Sequence, residues 1–406
     1  RRPPSVGQSP SFAGKRGGRA MSARERPWRA YDTPSAPDYW RACVDGEPAK
    51  YIALWTCTAL FLAAATAVSL RHRAALLAAP LSLRRQHYLR IGAMPRVFAL
   101  SGALAVLAPR AWILWHLLQK QCEAISLAAF AVLLLSLTAG VAEREASEPR
   151  NGARAGRAGA GGRAAAAGDG AMVPGIGAGI VAVLGRHGPQ KYLASPPLCC
   201  VLAPCMRARL LAAADLLRAS WAVQQLVVAT PVLAIVALWT QMVGADLDAP
   251  WLPVALSGAY KASALLALWG LFVLYRATKG ALHGWRTTDK FVALKAFLVI
   301  AIVQEPIVEA AVRASARARE RRWEAAESCL GPEDLAHLWC QFLLVAEALP
   351  MAALMARAFP ASEVRDVPAT ALERNGELVE LEVLRQLHED ERAAPGLGVA
   401  GAAAMV

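Results

Sequence analysis

Apolar runs close to twenty residues long recur along this chain, and no other feature constrains the fold as strongly. A helix that crosses a bilayer needs about 20 mostly apolar residues. Runs of this kind occupy residues 51–70, 91–108, 122–141, 221–243, 252–275, 291–307 and a stretch within 335–359. They lack the alternation of barrel strands, and only helices satisfy every backbone group inside one isolated segment. The expected fold class is therefore all-α: a polytopic membrane protein with seven transmembrane helices. Composition agrees, since 56% of the 406 residues are apolar and 18% are charged. Soluble domains average roughly 45–50% and about 25%.

The net charge of +13 sorts between the runs instead of gathering on one face, so a nucleic-acid partner is not expected. Arg71, Arg73, Arg84, Arg85 and Arg90 follow the first run, and Arg144 to Arg209 follow the third. Arg276, Lys279, Arg286 and Lys290 follow the fifth, while the turn after the fourth run has no basic residue. The sixth–seventh loop, with Arg313, Arg317, Arg319, Arg321 and Arg322, runs against the pattern. The majority places the odd loops and the C-terminus in the cytosol and the N-terminus outside.

Three segments flank or interrupt the spans. Residues 1–49 read as a disordered tail with no secretory signal. Residues 142–215 begin as an Ala/Gly/Arg low-complexity loop, in which 176–184 is apolar but too short to span. Within 366–406, leucines 378, 381, 384 and 387 among glutamates mark an acidic amphipathic helix over 370–392, a cytosolic partner or self-packing element.

Enzyme chemistry finds no foothold. No catalytic triad, H-E-x-x-H or metal-ligand cluster stands at membrane depth, and Gly175, Gly177 and Gly179 follow no strand, so they are not a phosphate loop. The last span has no lysine for a retinal chromophore, and the third ends Ala139-Gly140-Val141 without a receptor-type acidic-Arg-Tyr triplet. No cofactor and no metal is expected. His116, His283 and His337 read as ordinary loop or helix-end residues, and Trp55, Trp115, Trp221, Trp251 and Trp285 as an interfacial belt.

One segment is distinctive: Ala267-Leu-Trp-Gly-Leu-Phe-Val-Leu-Tyr275-Arg-Ala-Thr-Lys279, then Lys290-Phe291-Val-Ala-Leu-Lys295, then Gln304. Arg90-Ile91 with Pro95, Glu123-Ala124, Pro196-Pro-Leu-Cys-Cys200 with Cys205, Gln225 with Pro231, and Glu347 followed by Phe359-Pro360 support it. On these residues the chain, from about 50 to 365, resembles the organic solute transporter alpha family, including its transmembrane-protein-184 and lazarus-type relatives. It departs from the family pattern at Lys261 (usually Asn), Trp269 (Tyr), Val303 (often Trp) and the reordered Arg85-Gln86. The resemblance implies a carrier of amphipathic organic solutes, steroid-like or other organic anions, partnered by membrane lipid and by its solute. The animal alpha subunits of the family work with a small single-span partner, and a homo-oligomer is the other arrangement considered. Facilitated diffusion is expected, because no buried acidic cluster suggests ion coupling. The alternative is a non-transporting receptor-like or trafficking scaffold acting through the long loop and the acidic tail. The plasma membrane and endomembrane or vacuolar membranes are equally compatible.

Charges inside the spans point to a site. At 1.5 Å per residue from the cytosolic ends, Glu347 lies about 18 Å deep, Gln304 and Lys261 about 21 Å, and Lys295 about 8 Å. Intramembrane charges usually face a partner or a polar cavity. Lys261 or Lys295 is expected to attract an anionic headgroup, with Glu347 balancing the cation and Gln304 hydrogen-bonding the solute. The plainer reading is a structural Lys261–Glu347 pair, with Gln304 tying helices together. Glu123 and Gln225, which carry the resemblance in the third and fourth spans, join the candidate substrate-binding set. Cys199, Cys200 and Cys205 beside Arg207 and Arg209 are candidates for reversible palmitoylation.

Overall fold

The computed structural model describes residues 48–147, 176–185, 188, 195, 211–243, 251–321 and 332–365. Among them the regular structure is entirely helical. The helices are α1 (Pro48–Leu77), α2 (Leu83–Gly92), α3 (Met94–Leu107), α4 (Trp112–Ser147) and α5 (Ile176–Gly185), followed by α6 (Ala213–Val243), α7 (Trp251–Thr278), α8 (Thr287–Arg321), α9 (Pro332–Ala358) and α10 (Ala361–Arg365). The tail 1–47, most of the low-complexity loop, the acidic helix expected at 370–392 and Cys199, Cys200 and Cys205 lie outside the described residues.

Six candidate membrane spans are long and apolar enough among the described residues: α1, α2 with α3, α4, α6, α7, and α9 continued through α10. The expected run 291–307 falls inside α8, which is not one of the six.

The helices extend past the apolar runs, and this corrects the loop reading of several basic residues. Arg71, His72 and Arg73 continue α1. Arg84, Arg85 and Arg90 lie on α2, which starts where the Ser82 hydroxyl accepts the Arg85 backbone N–H at 3.2 Å. The second span is thus two helices joined at Ala93, and Pro95 falls in the first turn of α3, where its missing N–H leaves no bond unmade. Arg144 extends α4, while Arg313, Arg317, Arg319 and Arg321 extend α8, where Arg313 pairs with Glu309 one turn back. The residues 176–184 form α5, whose Ile180 and Leu184 are fully buried.

The most enclosed span, α4, packs against α2, α3, α5, α6 and α7. A second group forms around α9, which packs against α1, α3 and α8. The main core joins Phe130, Leu133 and Leu134 of α4 to Leu271 and Leu274 of α7 and to Phe359 after α9. Without a hydrophobic drive between helices in lipid, close packing relies on small residues. Ala65, Ala99 and Ala348 meet between α1, α3 and α9. Gly270 presses α7 onto α6, where an added Cβ would overlap the Ala219 carbonyl and lie 3.0 Å from the Ala222 methyl. Outward, Trp221, Val228, Val232, Ile235 and Trp239 of α6 are exposed, an apolar face suited to acyl chains.

Gly270→Ala is expected to cost about 1–3 kcal/mol by overpacking the α6–α7 seam and to lower the detergent Tm. Gly258→Ala, where nothing lies within 4 Å of the new methyl, leaves Tm unchanged.

Candidate functional site

Four segments converge at the end of the bundle where α7 gives way to α8. Lys290, in the first turns of α8, is 0% exposed and donates to the Glu363 carboxylate on α10 at 2.6 Å and to the Trp285 carbonyl. Tyr88 of α2 donates its hydroxyl to the same Glu363 oxygen at 2.6 Å. Arg84 donates to the Glu363 carbonyl at 2.9 Å, and its guanidinium lies 4.4 Å from the centre of the Trp285 ring. The half-buried carboxylate therefore has two charge-assisted donors, one of them a lysine fully removed from water, which is what such a pair requires.

Rings continue from this lock toward α7. Tyr88 packs edge-on against Phe359, which meets Phe130 of α4. Phe130 reaches Phe291, and Phe291 stacks on Tyr275 at 4.1 Å and meets Phe272 at 5.2 Å. On this aromatic floor rests Lys295. Its ammonium sits 3.2 Å from the Phe272 ring centre and 5.2 Å from that of Phe291. The side chain is half-buried, and none of the described ion pairs includes it. A cation held over ring faces in an apolar bundle retains its affinity for an anion.

The other expected site residues divide. Lys295 and Gln304 are nine residues apart on α8, which places them on opposite faces at about 100° per residue. Lys295 turns to α7, whereas Gln304 turns to α9 and donates to the Cys340 carbonyl at 3.4 Å. Glu347 is half-buried on α9 and seven residues from Cys340, so it shares the face that meets α8; its Oε2 is buried with no hydrogen-bond partner. Lys261 is exposed on α7. Among the described ion pairs none joins Lys261 to Glu347, and Gln304 bonds α8 to α9. Equal depth did not bring these side chains together, because depth says nothing of direction around a helix.

Of the remaining two candidates, Gln225 ties two helices together and Glu123 pairs within its own. Gln225 of α6 exchanges hydrogen bonds with Ser263 of α7, accepting from its hydroxyl at 2.9 Å and donating to its carbonyl at 3.0 Å. Glu123 is 6% exposed and pairs with Lys120 at 3.2 Å, and Lys120 reaches to 5.8 Å from the Tyr260 ring on α7. His116 and His337, read as ordinary loop or helix-end residues, lie in the first turns of α4 and α9. The lock residues were missed by sequence reasoning. Lys290 was visible in the K-F-x-x-x-K spacing but read as a boundary residue, and Glu363 follows Phe359-Pro360 at a distance that gave no sign of its partner.

Lys290→Met or Glu363→Gln alone is expected to cost about 3–5 kcal/mol by stranding a buried charge. The double variant should lose less than the sum of the two, measured as a double-mutant cycle on thermal unfolding in detergent.

The helices long enough to cross a membrane make this an integral multi-pass protein, and comparison with known proteins gives it a family. A family model described as "Organic solute transporter Ostalpha" matches residues 54–364, from α1 into α10. No curated protein and no solved structure matches the chain. The match covers most of the chain and takes in both the lysine lock and the Lys295 seat, so this protein belongs to the organic solute transporter Ostalpha family.

Proposed function

We propose that this protein is a seven-span carrier that moves amphipathic organic anions, steroid-like anions among them, across the bilayer by facilitated diffusion, without enzymatic activity. The reading adds α8 as the sixth of the seven spans, with the N-terminus external, and the Lys290–Glu363 end and the C-terminus cytosolic. One observation carries it: Lys295 keeps a half-buried ammonium on a ring face, without a carboxylate partner among the described ion pairs. Such a seat suits a carboxylate or sulfate headgroup, while the exposed apolar faces beside it suit the rest of an amphiphile. Gln304 of α8 and Glu347 of α9 act in the seam between those two helices, not on the headgroup. The segments on which a scaffold reading depends lie outside the described residues, so no observation favours it.

Purified full-length protein in liposomes is expected to give saturable uptake of a labelled sterol sulfate. Lys295→Gln should lower the initial rate by about ten- to a hundredfold, the size of one charge-assisted contact, with reconstituted amount unchanged. No uptake by the unaltered protein would favour a scaffold, and equal uptake by Lys295→Gln would remove the lysine from the path.

A further inference from the structure

The Lys295 seat leaves Lys261, near the middle of α7, without a part in headgroup binding. Eleven residues, three turns to within about 20°, separate it from Phe272. Lys261, Leu265, Leu268 and Phe272 therefore form one strip along the helix. Exposure falls along it: Lys261 and Leu265 are exposed, and Leu268 and Phe272 are half-buried. The strip is closed at the end where Phe291 and Lys295 of α8 meet Phe272, and it opens toward Lys261. Above that junction α7 packs against α6 and α4, whereas α8 packs against α9.

Both ends of this strip carry a lysine that none of the described ion pairs includes. Two described acidic side chains on neighbouring helices do not serve them. Glu347 lies on the α9 side of α8, and Glu123 is paired with Lys120. An unpaired ammonium at mid-membrane is costly against acyl chains, and such residues ordinarily mark the route of a polar ligand. The span between the two lysines is apolar, through Leu265 and Leu268. Its length is about 16 Å at 1.5 Å per residue.

We infer that Lys261 is a second anion-binding position on the same open strip, and that the site takes amphiphiles anionic at both ends with an apolar middle. The inference rests on the carrier reading. One headgroup sits at Lys295 over Phe272, the apolar middle lies along Leu268 and Leu265, and the second headgroup meets Lys261. A singly anionic amphiphile engages one lysine and leaves the other unpaired, so it binds more weakly.

The test uses full-length protein in liposomes taking up labelled sterol sulfate. The competitors are a long-chain α,ω-dicarboxylate matched to the strip and the monocarboxylate of equal length. The dicarboxylate is expected to inhibit at a concentration about tenfold lower. Lys261→Gln should bring the ratio of the two inhibitory concentrations to about one, and Lys261→Arg should restore it, which separates charge recognition from misfolding. Lys295→Gln should weaken both competitors. Equal inhibition of the unaltered protein by the two acids would overturn the inference and leave the carrier reading intact, as would a preference that survives Lys261→Gln. A loss of reconstituted protein or of a co-purifying membrane partner in Lys261→Gln, with the preference unchanged, would assign the lysine to assembly and also overturn it. Absence of sterol sulfate uptake by the unaltered protein would remove the carrier reading itself.

Discussion

The buried contact between Lys290 and Glu363 sets the geometry on which the rest of the site depends. It draws α2, the turn after α7, the start of α8 and α10 to one point, with Tyr88 and Arg84 sharing the load. It also fixes the rotation of α8. Five residues along a helix turn a side chain by about 140°. With Lys290 held toward α10 and Phe291 stacked on Tyr275, Lys295 must face α7. A buried ion pair contributes little net stability against an apolar replacement. Its value here is directional, since an apolar pair of the same volume would not specify which face of α8 meets which neighbour.

That rotation divides polarity across α8. The side toward α7 carries a cation over aromatic rings, beside a strip of α7 that ends in a second cation. The side toward α9 carries the Gln304 amide, bonded to the neighbouring backbone, and Glu347 of α9 has one buried, unpartnered carboxylate oxygen. Lys295 and Glu347 are thereby kept on different sides of α8, and the α7 side remains positive. Had Lys295 met Glu347, the pair would be a structural tie with no remaining attraction for an anion.

Much of the fold was legible in the sequence because lipid imposes a length and a polarity on each span. Most of the apolar runs fall within single helices, although the run 91–108 breaks at Ala93, and the Ala267–Tyr275 and Lys290–Gln304 spacing pointed to the family that the match over 54–364 establishes. What the sequence did not yield is azimuth. Depth follows from counting residues, but whether Lys261, Gln304 and Glu347 converge depends on how each helix is turned, and that is decided by contacts hundreds of residues apart, such as Arg84 with Glu363. Helix ends were also misjudged, because Ser82 caps α2 ahead of Arg84, Arg85 and Arg90, and polar residues extend α8 well past its apolar run. The lock escaped notice for the same reason: Lys290 and Glu363 each look like ordinary boundary charges until the fold joins them.

The central claim is that position 295 lies on a polar route open to anions from water and shared by amphiphiles from the bilayer. The most direct measurement is thiol labelling of Lys295→Cys in liposomes, in a background where the native cysteines are replaced, with an anionic membrane-impermeant methanethiosulfonate. Labelling from the aqueous phase that sterol sulfate slows in proportion to its concentration is the expected result. Labelling by a lipid-dissolved maleimide alone, with no protection by sterol sulfate, would contradict the account.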